Sequence, residues 1–69
     1  MEYSNCVFYN QFANIVVETT FIPNNHYDYE VGVYLKGNVF KDYLYRTNNL
    51  NDAKQMHNYY IELVKTNKL

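Results

Sequence analysis

The sequence is poor in the residues that usually punctuate or staple a small protein. Its 69 residues contain one cysteine, one proline, two glycines and no tryptophan. One cysteine cannot close an intrachain disulfide, so the pattern is not that of a disulfide-stapled secreted domain. Few glycines and prolines among many apolar side chains argue against a disordered or low-complexity chain. Apolar runs are short, so neither a membrane span nor a secretory signal peptide is predicted. Charge of one sign is lacking too. Six basic residues stand against seven acidic ones, a formal charge of −1, which is too balanced for a general polyanion binder. These exclusions leave a compact, cytoplasmic, single-domain protein as the expectation, since the length is too short for two domains.

What is abundant is tyrosine and asparagine. There are nine Tyr, four Phe and eleven Asn. A domain this small buries only roughly 60% of its unfolded surface, and without a disulfide or metal it needs large side chains or a partner. A protein partner, or a second copy forming a homo-oligomer such as a dimer, is therefore expected.

The sequence predicts an α+β fold in β-β-β-α order: an antiparallel sheet covered on one face by a C-terminal helix. Residues 1–11 form an arm or a short fourth strand, 12–47 a meander and 50–65 the helix. In Tyr27–Gly37, Tyr27, Tyr29, Val31, Val33 and Leu35 alternate with Asp28, Glu30, Gly32, Tyr34 and Lys36. Period-two alternation marks a strand with one buried and one wet face. Phe12–Ile22 holds three consecutive β-branched residues, Ile15, Val16 and Val17, which favour strand over helix. Pro23-Asn24-Asn25-His26 reads as a turn between them.

Gly37-Asn38 suits a two-residue hairpin leading to a third strand, Val39–Thr47. A strict register faces Val31 with Leu44 and buries Asp42 beside Val33, which is costly for a carboxylate. A bulge near Lys41-Asp42 would instead expel Asp42 and turn Tyr43 and Tyr45 inward. The sequence leaves both open. Cys6–Tyr9 reads as a short strand, although Phe8, Phe12 and Ile15 also lie at helical spacing.

From Leu50 to Lys65 the period changes to that of a helix. Ala53, Met56, His57, Tyr60, Leu63 and Val64 fall on one face and Asn51, Lys54, Gln55, Asn58, Glu62 and Lys65 on the other. Asn49 is the predicted N-cap, with Asp52 adding negative charge to the first turn.

Few residues carry chemistry. His26, His57 and Cys6 lack the spacing of a metal site, and no cofactor or metal is expected. Gly32 and Gly37 are isolated, so no phosphate-cradling loop is present. No nucleophile–base pair or catalytic carboxylate pair is apparent, and the chain is not expected to be an enzyme. His57 reads as a partly buried, hydrogen-bonded histidine. The candidate site is the wet face of the sheet. Asp28, Glu30, Tyr34, Lys36, Lys41, Tyr43 and Tyr45 are its expected members, because tyrosine set among charges is a frequent composition of protein interfaces.

Two stretches also resemble nucleic-acid-binding families. Tyr27–Val64 resembles the last two strands and helix of a double-stranded-RNA-binding domain. Ala53-Lys54 falls where that family has the end of its basic KKxAK helix start, but Leu50-Asn51 precedes it in place of lysines. Tyr43–Tyr60, YLYRTNNLNDAKQMHNYY, is similar to the strand–turn–helix ending of AP2-type and integrase arm-binding domains. The resemblance implies a small nucleic-acid-binding regulator, with Lys36, Lys41 and Arg46 as its contacts. Acidic Glu18, Asp28 and Glu30 on the same face disfavour it. The favoured expectation is a non-enzymatic protein-binding module, encoded by a phage or mobile element and inhibiting or modulating a host protein, as anti-CRISPR proteins do.

Overall fold

The computed structural model describes residues 5–22, 26–37 and 43–68. Four strands, β1 (Asn5–Phe12), β2 (Ile15–Phe21), β3 (Tyr29–Leu35) and β4 (Tyr43–Thr47), precede one helix, α1 (Leu50–Lys65). The strands are antiparallel neighbours in the order β1-β2-β3-β4. The helix packs on one face of this sheet. The fold is α+β in β-β-β-β-α order, so the short N-terminal strand is present and longer than expected.

Register assigns the paired strand residues to faces. Beneath the helix lie four cross-strand rows. They are Phe12-Ile15-Leu35, Asn10-Val17-Val33-Tyr43, Phe8-Thr19-Val31-Tyr45 and Phe21-Tyr29-Thr47. Val17, Val31 and Val33 meet Ala53, Tyr60 and Val64 of the helix in the core. β-Branched residues suit the pleated floor of such a core. Ala53, with no exposed surface, is small enough to let the helix approach. The predicted helix face is the observed one: Ala53, His57, Tyr60 and Val64 are buried, with Met56 and Leu63 packed alongside.

The helix begins where its cap chemistry requires. The Asn49 side chain accepts from the Asp52 N–H at 3.1 Å. The Asn49 N–H donates in turn to Thr47 Oγ1 at 3.1 Å, and the Thr47 hydroxyl lies 3.5 Å from Asp52 Oδ2. Two side chains thus take N–H groups at a terminus that otherwise leaves several unpaired, and the Asp52 carboxylate holds the Thr47 hydroxyl.

Several boundaries differ from those read in the sequence. The expected Phe12–Ile22 strand is interrupted by a two-residue turn, Ala13-Asn14, which joins β1 to β2. Ala13 has φ of 54° there. β3 begins at Tyr29 rather than Tyr27, and Tyr27 is exposed, its ring edge-on to His26 at 5.3 Å. In the last hairpin Val31 pairs with Tyr45 and Gly32 with Leu44, one residue from the strict register. Tyr43 and Tyr45 therefore face the helix, as the bulged alternative required, and Leu44 faces away. The proposed bulge at Lys41-Asp42 lies outside the described residues, as do Asn38 and the Pro23–Asn25 part of the first predicted turn.

Candidate functional site

The face of the sheet opposite the helix has no described element across it. Its cross-strand rows are Gln11-Val16-Tyr34, Tyr9-Glu18-Gly32-Leu44 and Cys6-Thr20-Glu30-Arg46. Val16, flanked in register by Gln11 and Tyr34, is only 1% exposed, and Thr20 only 6%.

Tyr34 is central to this face. Its hydroxyl donates to Glu18 Oε1 at 3.2 Å, and partial burial beside that carboxylate pushes its pKa up to about 12. The phenol is thus held neutral and leans across the sheet. Beyond it, Arg46 on β4 meets Glu30 on β3, with Nε 3.1 Å from Oε2. Between these two pairs lies Gly32, which presents no side chain. In register its neighbours across the strands are Glu18 and Leu44, and along β3 they are Glu30 and Tyr34. Side chains two apart on a strand share a face, so Glu18, Glu30, Tyr34 and Leu44 surround Gly32, which is itself buried. Leu44 is 47% exposed and Tyr9 50%, which gives this face exposed apolar surface.

Of the expected site residues, Glu30 and Tyr34 lie on this face. Asp28 lies in the bend before β3, where its N–H donates to Asn48 Oδ1 at 2.9 Å. Lys36 is exposed in the turn after β3, its N–H bound to the Asn14 carbonyl at 2.6 Å. Lys41 falls outside the described residues. Tyr43 and Tyr45 belong to the opposite face, where the Tyr43 ring lies 6.3 Å from that of Tyr60. Tyr9, Gly32 and Leu44 join the site although the sequence did not single them out. Leu44 was obscured by the register, and Tyr9 by uncertainty over the first strand.

On the helix side His57 is 3% exposed. Its Nε2 lies 2.8 Å from Asn10 Oδ1 and its Nδ1 2.8 Å from Thr19 Oγ1. An amide oxygen only accepts, so the ring carries its hydrogen on Nε2, and Nδ1 accepts from the threonine hydroxyl. Burial lowers the His57 pKa. The Phe8 ring packs 5.5 Å away. Both ring nitrogens are engaged in tying β1 and β2 to the helix.

Among the described residues, no group of three or more His, Cys, Asp or Glu side chains is arranged to hold a metal. No described helix is long and apolar enough to cross a membrane. No protein-family model, curated protein or solved structure matches the chain.

Proposed function

We propose that this protein is a non-enzymatic binding module that recognises another protein through the open sheet face around Gly32. The observation that carries the reading is the exposed apolar surface of Leu44 and Tyr9, 47% and 50% exposed, on the same face as the Tyr34–Glu18 and Arg46–Glu30 pairs. The face combines a fixed phenol, an exposed leucine and two engaged carboxylates, Glu18 accepting from Tyr34 and Glu30 holding Arg46. Exposed aliphatic and aromatic side chains set among polar pairs favour a partner that brings apolar groups ringed by polar ones. A protein with no reaction of its own acts by covering part of its partner, and inhibition or modulation of a host protein is the form we assign to it.

The nucleic-acid alternative has less support. On the open face of the described strands Arg46 is the one cation, and it is engaged by Glu30. Phosphate contacts need several free cations. No band shift with DNA or RNA at low salt is expected.

Capture from lysate with matched baits tests the reading. Wild type is compared with Tyr34→Ala, which removes the phenol, with Leu44→Glu, and with Lys54→Ala on the exposed side of the helix. A partner held by wild type and Lys54→Ala but lost by both sheet-face variants supports the proposal. Equal retention by all four baits, with circular dichroism confirming that each is folded, removes this face from consideration.

A further inference from the structure

The two edges of the sheet are unlike. β4 is five residues long and carries Arg46. β1 is eight residues long and reads Asn-Cys-Val-Phe-Tyr-Asn-Gln-Phe, with no charge and no proline. β2, β3 and β4 each contain a charged residue, namely Glu18, Glu30 and Arg46. Exposed edges offer a row of unpaired N–H and C=O groups, and sheets commonly guard them with lysine, proline, bulges or short length. β1 has one such guard, a bulge at Val7, where the register shifts between Cys6 and Phe8. From Phe8 to Phe12 the pairing with β2 is regular, and the other side of β1 has no described strand.

We infer that the Phe8–Phe12 edge of β1 pairs antiparallel with the same segment of a second copy, joining two four-stranded sheets into one. The occupant follows from charge. A two-fold interface sets a strand against itself, so every charge on it is duplicated across a short distance. β1 brings none, and the net charge of −1 gives two copies little long-range repulsion. The side chains beside the edge also suit a copy. Tyr9 and Gln11 stand on the open face and already interact, Tyr9 Oη donating to Gln11 Oε1 at 3.3 Å. Phe8 and Phe12 stand on the helix side, where a second copy would set further aromatic and apolar groups against them. Backbone pairing supplies the affinity, as in strand addition generally. This surface is the edge of the sheet, distinct from the face around Gly32, so a dimer keeps both recognition faces.

Sedimentation equilibrium over a wide concentration range tests the inference. The expected result is a transition from the 8.3 kDa monomer to twice that mass. Amide hydrogen exchange in Phe8–Phe12 should slow as the dimer fills, with β4 amides unchanged. The double variant Tyr9→Lys, Gln11→Lys places like charges along the edge and should weaken the dimer at least tenfold. Gln11→Lys alone is the milder variant should the double one fail to fold. A monomer at every concentration overturns the inference. So does a dimer indifferent to the lysines, or one whose protection appears on β4 or the helix.

Discussion

Thr19 and His57, thirty-eight positions apart in the chain, share a buried hydrogen bond of 2.8 Å between the strand floor and the helix. The threonine hydroxyl is the donor that the Nδ1 atom needs. Thr19→Val keeps the shape and removes the donor. A buried acceptor left unpaired costs about 1–3 kcal/mol. Urea unfolding should show the midpoint falling by that equivalent with the slope unchanged. Wild-type stability in the variant would mean that the contact contributes nothing.

The same histidine sets a dependence on acid. Its folded pKa lies below the ordinary 6.5 because burial disfavours the charged ring. The unfolded chain therefore binds the proton first as pH falls. Stability from this group is complete above 6.5 and declines as pH drops below it, down to the folded pKa. His57→Gln should flatten that part of the stability profile relative to wild type. A decline of equal slope in both proteins would assign the effect to other groups.

The helix was legible because its information is local. Apolar residues at helical spacing from Ala53 to Val64, with Asn49 ahead of them, define both the span and the buried face. The alternation from Tyr29 to Leu35 likewise disclosed β3. The pairing of β4 was not legible, because register depends on contacts between strands and a one-residue change swaps all faces. That swap moved Tyr43 and Tyr45 under the helix and brought Leu44 to the candidate site. Tyr34 and Glu30 were placed correctly because their strand alternates cleanly. The rest of the site depended on β1, whose aromatic spacing permits either a helix or a strand.

Tyr34 should be among the last tyrosines to ionise, given its pKa of about 12 against the usual 10.0. Between these values the folded state keeps a proton that the unfolded state loses, so this contribution to stability is lost as pH rises above 10. Glu18→Gln removes the negative charge beside the phenol and should lower its pKa towards the ordinary value. Phenolate absorbance measured against Tyr34→Phe isolates the group among the nine tyrosines. An unmoved titration in Glu18→Gln would leave burial, with the neighbouring Tyr9 and Cys6, as the cause.

Asn49→Ala deletes the acceptor for the Asp52 N–H. N-cap losses of this kind cost about 1 kcal/mol. Asn49→Asp keeps the acceptor and places a carboxylate at the positive end of the helix, so it should equal or exceed wild type. Chemical denaturation of the three proteins checks the order. Equal stability for alanine and asparagine would show that Thr47 and solvent satisfy the terminus unaided.

Ala13 makes a prediction of the opposite sign. Its φ of 54° places a residue with a Cβ in the left-handed region, at a strain of about 1–2 kcal/mol. Glycine adopts that region freely, but it gives the unfolded chain more freedom, which offsets about 0.4–1 kcal/mol of the relief. Ala13 is exposed, so removing its methyl forfeits little packing. The Gln11 side-chain amide donates to the Ala13 carbonyl at 2.9 Å, a backbone acceptor that survives the change. The Asn14 carbonyl still receives the Lys36 N–H. Ala13→Gly should thus raise stability by about 0.5–1 kcal/mol, whereas Ala13→Val, with a branched side chain forced to positive φ, should lower it. Both changes also report on β1, because the turn anchors that edge strand to the sheet. If glycine destabilises and valine does not, the turn does not hold Ala13 in the left-handed region.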